Sequence, residues 1–455
     1  MPDQKRYAVV GTGGRCSMFI NAALGDFADH ARLVALCDPS PTRMAHWNRR
    51  IADKTGEPLP TYAPDDFDRM IEEARPDAVI VTTVDALHHR YIIRALELGC
   101  EAVTEKPMTI DAGKAQAILD AVERTGGKVR VTFNYRYMPV FSKIREIVQS
   151  GTIGTPTLVD FQWRLDTSHG ADYFRRWHRD KSQSGGLLVH KATHHFDLVN
   201  WILGDLPQSV SAHGATRFYG KDNAEARGES YPYDRYTGEA AATDDPFSLR
   251  LDASDDLKSL YLDAEDDSGY VRDRNVFSDR WPLDAEDTMA VLARYRRGAI
   301  LSYSLLAYCP WEGERLTVTG TRGQVEYFGR GSGHVIRGQS DEELAAEQYQ
   351  GERYIRLQKM FEEPQDLDIP EAKGGHGGGD AVILQRIFKP EDELEPDPLQ
   401  RDAGHLDGAA SILLGVAANR SIDAGGGVPI DVDSLIQWPE PAAAGGSATQ
   451  PPPAG

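Results

Sequence analysis

The stretch "GGLLVHKATHHFD" (185–197) gathers His190, Lys191, His194, His195 and Asp197 into one short run. Imidazoles titrate near neutrality and can pass protons, and an ammonium stabilises a developing alkoxide, so a proton relay is one reading. His190, His194 and Asp197 are also zinc-type ligands, and a partly buried structural cluster of histidines is the third reading. Positions 190, 194 and 197 follow i, i+4, i+7 and share one helical face; Lys191 and His195 lie one residue around. Upstream, "HGADYFRRWHRDKSQSGG" (169–186) interleaves aromatics and cations. Tyr173, Trp177 and His178 offer faces on which a sugar ring can stack, and Arg175 and Arg176 offer donors to hydroxyls or an acidic group. A plain loop with core-packing aromatics accounts for the same residues. His376, set in the glycine-rich "EAKGGHGGGD" (371–380), is a candidate to reach a cleft from a loop.

A second set of residues lies near the N-terminus. "VVGTGGRC" (9–16) ends an apolar run and opens a helical pattern, the place of a dinucleotide-binding turn. Gly11 permits the tight turn, Gly13 lets backbone N–H groups approach a pyrophosphate, and the helix start favours its charge. Cys16 replaces the third glycine of G-x-G-x-x-G, and a small thiol still packs there. An ordinary strand-to-helix turn is the alternative. Asp38, about 20 residues further on at the end of the second strand, is placed to accept from an adenosine ribose and to repel a 2′-phosphate. That favours NAD over NADP, with Arg43 softening the preference; an aspartate in a turn before Pro39 is the structural alternative. "TEKPMT" (104–109) sets Lys106 at a strand end, at the carboxyl edge where such sheets bind ligands.

The elements that must position these residues read in two rhythms. "RYAVVG", "RLVALCD", "DAVIVTT" and "EAVTEKP" are short apolar runs alternating with helical segments at 64–74 and 88–99, which predicts a doubly wound parallel sheet. Beyond residue 150, longer and partly alternating runs at 155–165, 208–218, 289–307 and 315–329, with turns at Arg297-Gly298 and Arg322-Gly323, predict an open, mainly antiparallel sheet. The fold class is therefore α/β followed by α+β. The expected domains are a dinucleotide-binding unit at 1–135 and a substrate-binding and oligomerisation unit at 136–437, the latter with a late helix at 405–422. An acidic stretch at 239–270 reads as solvated; it lies in an insertion at about 219–287 that is free either to lid the cleft or to cover a partner subunit, and 438–455 reads as a disordered tail.

Taken together, Gly11, Gly13, Asp38, "TTVDALHH" (82–89), "TEKPMT" and the antiparallel second half resemble the Gfo/Idh/MocA family of NAD(P)-dependent oxidoreductases. The resemblance implies that Thr12, Gly14, Arg15, Thr83, His88, Glu105, Lys106 and Asn134 line the cofactor with Gly11, Gly13 and Asp38. It implies that Lys106 also meets the substrate hydroxyl and that His194 is the general acid/base. Substrate contacts fall to Arg136, Tyr173, Trp177, His190, Lys191, His195 and Asp197. Val84 and Asp85 depart from the family's proline and asparagine, and His190 departs from its aspartate. Hydride transfer needs no metal, and none is expected. Dimers or tetramers follow from the resemblance alone.

Composition bounds the partners. Fifty basic against seventy acidic residues leave a net charge of −20, which repels nucleic acid and anionic membranes. The chain passes from a few polar residues directly into its first strand, which predicts a cytoplasmic protein; the four scattered cysteines predict free thiols. The leading expectation is an NAD-dependent dehydrogenase acting on a secondary hydroxyl of a sugar, glycoside or cyclic polyol. The alternative is a glycosidase or lyase that oxidises, eliminates and re-reduces on one bound NAD, and the third is a non-catalytic NAD sensor.

Overall fold

The computed structural model describes residues 4–331, 352–370 and 376–439. The expected tail from residue 440 onward, residues 371–375 of the glycine-rich stretch and the side chain of His376 lie outside that description.

Six strands form the first sheet: β1 (Lys5–Val10), β2 (Ala31–Cys37), β3 (Thr61–Tyr62), β4 (Ala78–Val81), β5 (Glu101–Thr104) and β6 (Val129–Val131). All are parallel, in the order β3-β2-β1-β4-β5-β6. Ala8 and Val10 face one apolar cluster and Tyr7 and Val9 the other, so both faces of β1 are covered and the strand reads as an unbroken apolar run. Because β1 lies between β2 and β4, the strand order reverses there. The crevice beyond the carboxyl ends of these strands is the natural ligand position of such a sheet.

The second sheet comprises β7 (Pro156–Asp166), β8 (Pro207–Ala215), β9 (Thr288–Tyr295), β10 (Ile300–Cys309), β11 (Gly313–Gly320), β12 (Gly323–Arg330), β13 (Arg353–Lys359), β14 (Gln365–Leu367) and β15 (Ile430–Asp431). Its order is β14-β13-β12-β11-β7-β10-β9-β8-β15, antiparallel throughout except where β7 runs parallel to β10. The hairpin expected at Arg297-Gly298 joins β9 to β10, with Gly298 at φ +98°. Buried and more exposed residues alternate along β9 to β12, so one face packs inward. Against that side lie the helices Pro139–Gln149, Ala192–Leu203 and His405–Asp423, the last of which also touches β6 and the helix Ala112–Thr125 of the first half. Among the described residues no helix is long and apolar enough to cross a membrane.

The acidic stretch at 239–270 is not the solvated segment its composition suggests: Ala242, Phe247, Leu251, Leu260 and Ala264 are buried in it, and Tyr219, Tyr236, Val276 and Phe277 are buried on either side. Arg179, fully buried, donates to the carbonyl oxygens of Asn275 (3.1 Å), Ser278 (2.9 Å) and Pro282 (2.9 Å), pinning the returning chain to the body. Many of the acids sit on the outside and pair there, as Asp256 does with Arg50. Charge counts report the surface of this segment, while its aromatics do the packing.

Gly415 lets the closing helix His405–Asp423 sit against the chain that leads into His190: a methyl there would run into the Leu188 carbonyl. Alanine normally stabilises a helix interior by about 1 kcal/mol over glycine. Here Gly415→Ala is expected to destabilise by about 1–3 kcal/mol, seen as a lower urea midpoint. A raised midpoint would disprove the close approach.

Candidate active site

The dinucleotide turn forms as its residues require. Gly11 has φ +88°, and a Cβ on it would lie 2.6 Å from Thr83 N, so only glycine fits. Gly14–Cys16 makes a 3-10 turn into the helix Ser17–Leu24. Cys16, fully buried, donates its thiol to Gly13 O at 3.0 Å and fills the place of the third glycine. Asp38 accepts from Thr12 N (2.6 Å) and Ser40 N (2.8 Å), with Arg43 Nη1 4.0 Å away. Burial raises its pKa, and those amides and Arg43 pull it back. Arg15 reaches Glu105 at 2.8 Å, joining this turn to the end of β5.

Asn134 donates to Asp380 at 2.6 Å, and its own Oδ1 is buried with no hydrogen-bond partner among the described residues. The left-handed glycine, the paired ribose carboxylate and this orphaned oxygen fit a nicotinamide dinucleotide. Gly11 to Arg15 and Asp38 would hold its phosphates and ribose, with Asn134 and Glu105 as further groups that would line it. When bound, the group supplies hydride acceptance and donation.

Beyond β4 and β5 the loops converge on Lys106. Its Nζ lies 3.5 Å from His190 Nε2 and 3.5 Å from His190 O. His190 Nδ1 pairs with Asp85 Oδ2 at 2.5 Å. Burial pulls Lys106 down to about 8, with Asp85 and Glu105 opposing. Burial, reinforced by the positive charges around it, pushes His190 well below the usual range, and burial raises Asp85 against the pull of Lys106 and Arg176. Asp85 thus orients an imidazole that would otherwise be free to rotate.

The site helix is broken at Lys191 into Leu187–His190 and Ala192–Leu203, yet its two faces part as their spacing predicts. His190 points at Asp85, His194 lies flat on Tyr135 (4.1 Å between centroids, 6° between planes), and Asp197 pairs with Arg136. Lys191 and His195 turn the other way. Lys191 Nζ donates to Tyr135 OH at 3.2 Å over the Trp163 ring, and His195 stacks on Trp163 and pairs with Tyr303 OH at 2.7 Å.

Other residues expected at the site already have protein partners. His195 is fully buried against the sheet, and Arg136 and Asp197 pair with one another, contacts that hold the site helix in place. His88 is buried with its two ring nitrogens against the carbonyls of Pro107 (2.8 Å) and Thr83 (3.1 Å), and as a neutral imidazole it donates to one of them. The Thr83 hydroxyl donates locally, to Val84 O at 3.2 Å. Arg175 is taken by Phe247 O (2.8 Å) and Asp172. Tyr173 and Trp177 do stand at the site, edge-on to His190 at 5.6 and 5.7 Å, and His178 packs on the same ring at 4.0 Å. Among the described residues no group of three or more His, Cys, Asp or Glu could hold a metal ion. Sequence alone gave no role to Asp85, Tyr135 or Asp407. Asp85 left a signal, since a carboxylate in place of the family's asparagine and a histidine in place of its aspartate are two halves of one exchange.

A family model described as oxidoreductase family, NAD-binding Rossmann fold, matches residues 5–133, and one described as oxidoreductase family, C-terminal alpha/beta domain, matches residues 145–430. The chain is 36% identical over 427 residues to YteT of Bacillus subtilis (strain 168), a protein named as an oxidoreductase, covering 89% of this chain and 93% of that one. It is 31% identical over 210 residues to the inositol 2-dehydrogenase of Rhizobium meliloti (strain 1021), covering 46% of this chain and 58% of that enzyme. An oxidoreductase structure from Agrobacterium radiobacter, in complex with NAD+, L-tartaric acid and magnesium, shares the fold with a TM-score of 0.63 at 14% identity, covering 95% of this chain and 100% of that one. With both halves matched and the dinucleotide turn in place, the chain belongs to the Gfo/Idh/MocA family of oxidoreductases, with an NAD-binding Rossmann fold in its N-terminal part.

Proposed function

We propose that this protein is an NAD-dependent oxidoreductase that moves hydride between a secondary hydroxyl of a sugar, glycoside or cyclic polyol and nicotinamide. The contact between Lys106 Nζ and His190 Nε2, 3.5 Å apart at the carboxyl edge of the sheet with Asp85 behind the imidazole, carries the reading. A hydroxyl that loses hydride must also lose its proton. With Nδ1–H given to Asp85, Nε2 is the acceptor that faces Lys106 and holds the lysine amine where it can take that proton. His194, one turn further along the same face, is the second acid/base, as the resemblance implies. Tyr173 and Trp177 supply the apolar wall for a ring, and the likeness to an inositol 2-dehydrogenase supports a polyhydroxylated substrate. The buried charge of Asp38 favours NAD over NADP. Oxidation, elimination and re-reduction on one retained NAD is the second reading, favoured by the insertion that lies over the dinucleotide turn.

Lys106→Met is expected to lower kcat by about 10²–10⁴ while NAD binding by calorimetry changes little. His194→Gln is expected to show the same pattern, and full activity in either variant would remove that residue from the chemistry. In the direction of alcohol oxidation kcat should rise with pH through about 8, as Lys106 becomes able to accept a proton, and this step should vanish in Lys106→Met. Asp38→Ser is expected to shift the NAD-to-NADP affinity ratio toward NADP by about tenfold or more, measured by titration of both cofactors.

A further inference from the structure

The insertion between β8 and β9 returns across the molecule to the dinucleotide turn. Tyr261 OH accepts from Gly14 N at 2.9 Å, the kind of backbone N–H such a turn offers to phosphate, and keeps its own proton to donate. A Cβ on Gly14 would lie 2.8 Å from that oxygen. At the ribose end, Asp267 accepts from Ser40 Oγ (2.5 Å) and Thr42 N (2.9 Å), and Arg43 donates to Leu260 O (2.9 Å). Arg272, 8% exposed, lies 5.5 Å from the Tyr261 ring and pairs with Asp172 at 2.8 Å, while its Nε and Nη1 find no acceptor among the described residues. Asp172 also holds Arg176 (3.1 Å), one of the charges that depress His190. Side chains of one segment therefore run from the ribose loop, past the pyrophosphate turn, to the neighbourhood of Lys106 and His190.

We propose that residues 251–272 are the outer wall of the cofactor site: Tyr261 and Arg272 bind the dinucleotide pyrophosphate, Asp267 closes the ribose end, and the cofactor stays bound from one turnover to the next. The inference rests on the NAD-dependent reading above. Two unpartnered guanidinium donors at the edge of an anion-binding turn call for an anion, and a diphosphate supplies it. A carboxylate beside Ser40 adds to Asp38 in excluding a 2′-phosphate. Retention also fixes the electron balance. Hydride and proton taken from a hydroxyl must return in place, to the ketone so formed, to a product of that ketone, or to a second carbonyl substrate.

The test loads the full-length protein with isotopically labelled NAD, adds excess unlabelled NAD and follows exchange by native mass spectrometry. Tyr261→Phe with Arg272→Met is expected to exchange at least about tenfold faster than the unaltered protein, which should carry one NAD per chain. Asp267→Asn, at the margin of the segment, is expected to speed exchange in the same direction and serves should the double variant fold poorly. If the unaltered protein binds NAD but exchanges it as fast as both variants do, the wall is not part of the site. If the unaltered protein takes up no NAD in any form, the parent reading fails first, and the inference with it.

Discussion

Arg136 and Asp197 meet bidentately, at 2.7 and 2.5 Å, where the two sheets join, and both are almost wholly inaccessible to water. Arg136 comes from the short turn Asn134–Tyr137 that leaves β6, and Asp197 from the helix Ala192–Leu203. A second carboxylate, Asp407 at the start of the closing helix, completes the guanidinium's partners at 2.8 Å. Three segments from distant parts of the chain thus share one buried charge. Removing Arg136 or Asp197 costs about 3–5 kcal/mol, because the buried charge left behind has no water to turn to. The pair also sets the rotation of the site helix about its axis. With Asp197 held, His194, on the same helix, lies against Tyr135.

The same exclusion of water shapes the chemistry. Burial lowers Lys106 and raises Asp85, bringing groups that would be fixed in charge at the surface toward exchangeable protons, and it holds His190 as the neutral imidazole. Aromatic rings form the low-dielectric walls. Tyr135, Trp163 and Tyr173 surround Lys191 and the histidines, and the Tyr135 ring carries both His194 and the donor from Lys191. Preorganised charges in such a site act more strongly than in water.

Much of this was legible in the residues. Unbroken apolar runs announced β1, β2, β4 and β5, and alternating runs with glycine turns announced β7 and the hairpins β9–β10 and β11–β12. The strands β3 and β6 were not, because two or three residues carry no periodicity. The parallel pairing of β7 with β10 was not either, since register depends on partners distant in sequence. In the site, spacing alone assigned the two faces of the helix at 190–197. What each face would meet was hidden, because His195 and Asp197 look functional until Tyr303 and Arg136 are seen to hold them. The acid-rich insertion misled for a different reason: composition averages over a segment, and folding sorts it into outside and inside.

The docking of Tyr261 on Gly14 spans almost the whole N-terminal half of the chain. The ribosome releases the glycine turn long before it releases the tyrosine. Throughout that interval the nascent sheet, once β1 to β6 have paired, stands with its nucleotide crevice uncovered. The side chain that covers the turn is therefore added to it late, when most of the first sheet's sequence has already emerged.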